Sequence, residues 1–165
     1  MVDFLDEKWL IEESAALALV EILNLQQGKN YKILMHEDRP DIVIENQTDG
    51  TRLGVEFTHL FYDSEEARHV FGRSRELDHP PAPDYINRYV QRLNALLQQK
   101  TEKAKGYNHE YPLALLIRVV SPIFHMCNFK YYASSIVVPP SDFEIIWLLF
   151  YDFVERRWAL LKRLR

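Results

Sequence analysis

The feature that most restricts the fold of this chain is a pair of β-type segments joined at Asp49-Gly50. Residues 41–46 and 52–60 are rich in β-branched and aromatic side chains and alternate between apolar and polar positions, as strands with one buried face do. Asp-Gly is the strongest short hairpin signal, because a type I′ turn needs positive φ at both central residues. The sequence therefore predicts a hairpin with a two-residue turn.

This turn length sets a register that brings two acids onto one face. It places Asp41 opposite Thr58 and Val43 opposite Glu56, so Asp41 lies diagonal to Glu56 on the same face. Two carboxylates this close repel each other unless a cation or a proton lies between them. Their hard oxygens suit Mg²⁺ or Mn²⁺. The alternative interpretation is a solvated sheet face that happens to carry acids.

A helix is predicted over residues 3–27, because the segment is rich in Leu, Ala and Glu and ends before Gly28. The face predicted to pack on the core, at about 100° per residue, is Lys8, Ile11, Ala15, Ala16, Leu19, Ile22, Leu23 and Gln26. Glu12 falls within this face, where an acid needs a partner or a metal. The alternative is an acid at the edge of the core that reaches solvent.

A second helix is predicted over residues 83–105, and it carries a lysine where the core should be. Its apolar stripe is Ile86, Tyr89, Val90, Leu93, Leu96, Leu97 and Ala104. Lys100 lies at the centre of this stripe and Lys103 at its edge. The long stem of a lysine can carry its amine to a neighbouring polar site, or out to solvent past the helix end, and both interpretations stay open.

The remaining segments complete an order of helix, three strands, helix and strand. Residues 31–35 read as the first strand, and 113–120 is a nearly continuous apolar run, typical of a strand covered on both faces. The connection through the second helix predicts that strands 52–60 and 113–120 are parallel. Further predicted elements are a helical piece at 63–71 with a loop to 84, a loop with a helical turn at 121–135, and a hairpin of 143–151 with 157–164.

Pro40-Asp41, followed by Glu56-Phe57-Thr58, resembles the core motif of the PD-(D/E)XK nuclease superfamily, with Thr58 in place of the motif lysine. The order αβββαβ is that of the superfamily's common core. The resemblance implies an α/β, restriction-endonuclease-like fold with a central mixed sheet flanked by helices, to which this chain adds a C-terminal β-hairpin.

The resemblance also implies an activity, the metal-dependent hydrolysis of phosphodiesters in nucleic acid, and it favours DNA because most of the superfamily acts on DNA. The implied catalytic residues are Glu12, Asp41, Glu56, Thr58, Lys100 and Lys103, and the implied ligands of Mg²⁺ or Mn²⁺ are Asp41, Glu56, the carbonyl of Phe57, and Glu12. Lys100 or Lys103 would replace the motif lysine, as happens where motif residues have migrated in related families. Thr58 carries no charge and could only position a group. Arg68, Arg73 and Arg75 are candidates for contacting phosphate.

Composition limits these hypotheses. A length of 165 residues predicts one domain, spanning 1–165, and a net charge of −4 argues against binding by non-specific attraction to phosphate alone. The single cysteine, Cys127, and the lack of a long apolar run predict a cytoplasmic protein with no membrane partner. A homodimer stays open. The alternatives to an enzyme are a non-catalytic binding or assembly module with an aromatic-rich C-terminal half, and a purely structural α/β protein.

Overall fold

The computed structural model describes residues 4–60, 85–120 and 130–165, with side chains from Glu12 onward in the first helix and from Ile86 onward in the second. Some predictions lie outside the described residues. They are the helical piece at 63–71, the three arginines Arg68, Arg73 and Arg75, and most of the loop at 121–135.

Two long helices and six strands form the described fold, and each boundary lies within two residues of its predicted position. They are α1 (Phe4–Gln27), β1 (Tyr31–His36), β2 (Ile42–Asn46), β3 (Arg52–Leu60), α2 (Tyr85–Ala104), β4 (Leu113–Val119), β5 (Phe143–Asp152) and β6 (Arg157–Arg163). A short 3₁₀ turn, Ala133–Ser135, precedes β5. Neither described helix is both long and apolar enough to cross a membrane.

The strands form one mixed sheet in the order β1-β2-β3-β4-β5-β6. The pairs β1–β2, β2–β3 and β5–β6 are antiparallel, whereas β3–β4 and β4–β5 are parallel. The predicted α/β class, with a mixed sheet and helices, is confirmed. The C-terminal hairpin continues this sheet through the parallel contact of β5 with β4.

The sheet is covered by α1 on one face and by α2 on the other. On the α1 face, helix residues such as Ala15, Leu19 and Leu23 pack with apolar side chains of β2–β5. On the α2 face, Tyr89 and Leu97 belong to a second cluster with side chains of β3, β4 and β5. All seven residues of β4 are buried, as expected for a strand covered on both faces. Because successive side chains of a strand point to opposite faces, those of β3 pack alternately on the α1 face and on the α2 face of the sheet.

The predicted register of the β2–β3 hairpin is wrong by two residues. Val55 lies opposite Ile42, because the loop has four residues, Gln47–Gly50, with the Asn46 amide bonded to the Thr51 carbonyl at 2.9 Å. The side chains of Asn46 and Asp49 accept hydrogen bonds from the backbone amides of Thr48 and Thr51, at 3.2 and 2.9 Å, and so stabilise the longer connection.

A shift of two residues leaves every side chain on its predicted face. Asp41 is consequently not opposite Thr58; continuing the observed pairing by one residue places it opposite Glu56. The two acids are therefore closer in register than the sequence predicted.

Candidate functional site

The site lies where β2 begins and β3 continues past it. Ile42 opposite Val55 is the first pair of the β2–β3 ladder, and β3 extends for five further residues to Leu60. The Phe57 amide in this extension donates to Oδ2 of Asp41 at 2.7 Å. The Asp41 carboxylate thus accepts the hydrogen bond that the backbone of a neighbouring strand would otherwise accept at this edge. The Phe57 carbonyl points to the same side, because a residue's N–H and C=O face the same neighbouring strand.

Glu56 is the buried acid of the site, and it receives two donors on one oxygen. The Lys100 ammonium of α2 lies 2.8 Å from Oε1, and the Tyr107 hydroxyl donates to the same atom at 2.8 Å. The side chains of Glu56 and Lys100 are only 9% and 14% exposed, so this ion pair is largely shielded from water. The other oxygen, Oε2, is buried and has no hydrogen-bond partner among the described residues. The protein holds one oxygen of the carboxylate and leaves the other buried without a described hydrogen bond.

Tyr107 is a site residue that the sequence did not reveal. It follows α2 by three residues, and burial, followed by the hydrogen bond and charge of Glu56, raises its pKa above the ordinary value of 10. The hydroxyl therefore stays protonated and acts as a donor at neutral pH. The feature of the sequence that could have indicated this role is its position just after the helix that carries Lys100. A tyrosine at such a position is, however, equally typical of core packing.

The loop between α2 and β4 also fixes the segment that carries the aspartate. The backbone amide of Asn108 donates to the backbone carbonyl of Arg39 at 3.2 Å. Tyr111 and Pro40 both approach Gly54 of β3, where an added Cβ would lie 2.7 Å from Pro40 Cγ and 3.0 Å from Tyr111 Cε2. Only glycine allows this approach. The aspartate that follows Pro40 is thereby held beside β3.

The opposite face of the sheet carries a buried cation behind the site. Arg118 is 5% exposed, and its guanidinium carbon lies 5.9 Å from the centre of the Phe57 ring. Burial lowers the Arg118 pKa to about 10, against the opposing effect of the charges of Glu12 and Asp41, so the side chain remains a cation at neutral pH. Burial, with the charge of Arg118, also lowers the pKa of His59 to about 3, and His59 is therefore neutral.

The structure brings together four of the predicted site residues, namely Asp41, Glu56, Phe57 and Lys100. Of the two candidate lysines, it is Lys100 that reaches Glu56.

The other three predicted residues lie apart from this group. Thr58 is half-buried and shares the α2 face with Glu56, two residues away on β3. Lys103 is exposed and forms no hydrogen bond or ion pair with any residue that the structure describes. Glu12 is half-buried on the α1 side, within the field of Arg118. His59 is on the strand face opposite to Glu56.

The oxygens at this edge fit the donor set of a hard divalent cation. They are the buried Oε2 of Glu56, the carboxylate of Asp41 and the carbonyl of Phe57, and Mg²⁺ typically takes one or two protein carboxylates and keeps several waters. A buried carboxylate oxygen that lacks a hydrogen bond is costly, and a cation would remove this cost. In the described part of the chain, no group of three or more His, Cys, Asp or Glu side chains is arranged to hold a metal, so Glu12 does not complete a three-acid cluster here.

The chain matches no protein-family model, no curated protein and no solved structure in the three comparisons made with known proteins. No activity can therefore be carried over from a relative.

Proposed function

We propose that this chain is a metal-dependent nuclease that hydrolyses phosphodiester bonds in nucleic acid. One observation carries the proposal, namely the 2.8 Å contact between Lys100 of α2 and Glu56 of β3. The resemblance to the PD-(D/E)XK superfamily lacks a lysine at Thr58, and Lys100 supplies an amine beside the motif acid from a different element. A structural interpretation of the same lysine does not account for the second, unsatisfied oxygen of Glu56.

In this proposal Asp41, Glu56 and the Phe57 carbonyl hold Mg²⁺ or Mn²⁺. A bound cation of this kind supplies Lewis acidity, which makes water a nucleophile at neutral pH and offsets charge that develops on the phosphate. Lys100 holds the attacking water or stabilises the charge of the transition state, since an ammonium is effective where little water competes. Tyr107 keeps Oε1 of Glu56 in place, and Thr58 can position a group by hydrogen bonding.

The observed order of elements, αβββαβ followed by a hairpin, supports a restriction-endonuclease-like core. The same resemblance favours DNA over RNA as the substrate. A cytoplasmic location and a homodimer, in which two copies would cut both strands, remain predictions from the sequence. So does the role of Glu12 in binding a second ion or orienting its water.

One observation favours a second candidate, a non-catalytic binding or assembly module on this fold. Lys100 already neutralises Glu56 without a metal, as a structural ion pair would, and the described residues offer no three-acid cluster. In a module of this kind the ion pair would hold α2 on β3, and no cation would bind.

Metal binding and strand cleavage distinguish the two candidates. We would titrate Mn²⁺ into wild type, Asp41→Asn and Glu56→Gln by calorimetry, and incubate the same proteins and Lys100→Ala with plasmid, duplex and single-stranded substrates in Mg²⁺. The nuclease proposal expects metal binding that the two carboxylate variants lose and cleavage that all three variants lose. Lys105→Ala is the matched control, because Lys105 is exposed and, among the described residues, its ion pair is with the exposed Glu102. Wild type that binds no Mn²⁺ at millimolar concentration would overturn the nuclease and leave the binding module.

A further inference from the structure

The second helix differs in charge from the rest of the molecule. Residues Tyr85–Ala104 contain four cations and one acid, a formal charge of +4 − 1 = +3, whereas the whole chain is −4 and the remainder is therefore −4 − 3 = −7. The C-terminal residues 156–165 are also basic, with five cations and no acid, but the second helix is the basic element that supplies Lys100 to the acidic site.

This charge is confined to one of the helix's two exposed flanks. At 100° per residue, the basic flank falls within an arc of about 60°. Its exposed polar members are Arg88, Arg92, Gln99 and Lys103. The members of the other flank are Asn87, Gln91, Asn94, Gln98 and Glu102. A helix that needed charge only for solubility would not be expected to place all its exposed cations on one side.

The basic flank is on the side of the helix nearer to the site, and the other flank is on the side away from it. On the helical wheel Lys100 lies within the buried stripe, in the half nearer to the basic flank, about 60° from Lys103 and about 120° from Asn94. A cavity of about 350 Å³ joins the flank to the end of β3, and its described lining is His59, Leu60, Arg92, Ala95, Leu96 and Gln99. On the other flank, by contrast, the Asn94 side chain donates to the Ser135 carbonyl and accepts from the Val137 amide, both at 2.9 Å, in the segment that precedes β5.

Three of the four polar side chains of the basic flank have no partner in the described residues. Arg92, Gln99 and Lys103 are exposed and form no hydrogen bond or ion pair with other residues of the described ranges. Lys105, just past the helix, is instead bonded to Glu102 at 2.9 Å. From Arg92 to Lys103 the helix rises by about 16 Å, which corresponds to roughly five nucleotides of one strand.

We infer that the basic flank of α2 binds the phosphate backbone of a nucleic-acid strand and leads it to the Glu56–Lys100 site. Arg92 and Lys103 contact phosphates on either side of the one that is cleaved, and Gln99 lies between them. The identity of the ligand rests on the proposed function, but the surface itself can be tested without cleavage. Binding through phosphates also explains how a chain with net charge −4 approaches a polyanion, since the interaction is local.

The test measures binding in the absence of divalent metal. Fluorescence anisotropy with labelled 20-nucleotide single strands and duplexes, in EDTA and at several salt concentrations, compares wild type with Arg92→Gln/Lys103→Gln. We expect affinity to fall about tenfold or more for every sequence, and the slope of log affinity against log salt to decrease by about 2, or one per lost phosphate contact. The control is Lys162→Gln/Arg163→Gln, which removes the same charge from β6 at the far edge of the sheet.

The outcomes separate this surface from the nuclease proposal. Weakened binding in the α2 variant alone supports the surface, whether or not wild type cleaves in Mg²⁺. Wild type that cleaves, together with an α2 variant that binds as tightly as wild type, overturns the surface and leaves the nuclease standing. Equal losses in both double variants, or no binding by wild type, also overturn the surface. Urea unfolding midpoints confirm that these exposed substitutions leave the fold intact.

Discussion

The two faces of the sheet each bury one charged residue on adjacent strands, and they hold it differently. On the α2 face, Glu56 has two short contacts, to Lys100 and Tyr107, that occupy a single oxygen. On the α1 face, Arg118 lies over the Phe57 ring and in the field of nearby acids. The first charge is fixed by directed bonds and retains an unused oxygen. The second provides a standing positive charge behind the site.

This difference shows what a buried charge needs in order to act on a ligand. A carboxylate whose oxygens were all bonded to the protein would be structural, and one with no partner would become protonated. Glu56 lies between these cases because Lys100 and Tyr107 share Oε1. On the α1 face the buried charge is a cation, which cannot bind a metal ion, and we expect perturbations there to affect stability more than metal binding.

Removing the counter-ion on the α2 face should have the largest effect. We expect Lys100→Ala to lower the free energy of unfolding by about 3–5 kcal/mol, because it leaves the largely buried Glu56 carboxyl group with no cation beside it. Urea unfolding at pH 7 measures this. Lys103→Ala, at an exposed and unpaired position, should cost less than about 0.5 kcal/mol. Equal effects of the two substitutions would mean that the ion pair is weak in solution.

The close packing over Gly54 should be the next most sensitive point. Gly54→Ala is expected to cost about 2–3 kcal/mol, because Pro40 Cγ at 2.7 Å from the added Cβ belongs to a ring and cannot rotate away. The displaced segment carries Asp41, so Mn²⁺ affinity measured by calorimetry should fall too. Gly106→Ala is the control, since its nearest contact would be an ordinary 3.7 Å. A stable Gly54→Ala variant with wild-type Mn²⁺ affinity would contradict this packing argument.

Lowering the pH should destabilise the protein through His59 on the α1 face. The folded pKa of His59 is about 3, below the usual 6.5, so the unfolded state binds more protons between these values and stability is lost as pH falls below 6.5. The loss from pH 6.5 to pH 5 is about 2 kcal/mol, at about 1.4 kcal/mol per pH unit. Urea unfolding at both pH values should show this dependence in wild type and in His109→Gln, where the histidine is exposed, but not in His59→Gln. A slope that survives in His59→Gln would assign it to another group.

The smallest predicted effect, that of Tyr107→Phe, tests how Glu56 is held. Tyr107→Phe deletes one donor to Glu56 and should cost about 1.5 kcal/mol, with a several-fold loss of Mn²⁺ affinity because Oε1 is less firmly held. Tyr111→Phe is a matched control, because Tyr111 is equally buried and its hydroxyl bonds to Glu37 instead. Calorimetry should show unchanged Mn²⁺ affinity for that variant. A loss of affinity in both would mean that the whole loop, and not the Tyr107 hydroxyl, determines the site.

Much of the fold was predictable because the periodicity of these segments is strong. The alternation in β3 and the apolar run of β4 predicted both strands to within one residue of their bounds, and the connection through the second helix predicted their parallel orientation. The register of the hairpin was not predictable from Asp49-Gly50, since Asn46 and Asp49 stabilise a four-residue loop by bonds that compete with the type I′ turn.

The site could be predicted only where a residue type conflicted with its position. Lys100 stood out because a lysine interrupts an apolar stripe, and it does contact Glu56. Arg118 interrupts the apolar run of β4 in the same way, yet the run was interpreted only as a buried strand. Tyr107 and Gly54 conflict with nothing locally. Their roles depend on contacts with residues that are distant in the chain, which periodicity does not encode.

The four-residue loop between β2 and β3 also bears on how related sequences can diverge. An insertion inside the loop lengthens the connection and can leave the strand pairing unchanged, so Asp41 and Glu56 stay on a common face. A change of one residue within β2 or β3 would instead turn one acid to the other face or require a bulge. Insertions and deletions should therefore collect in the loop wherever the two acids are retained, and a change of one residue inside either strand should accompany the loss of one of them.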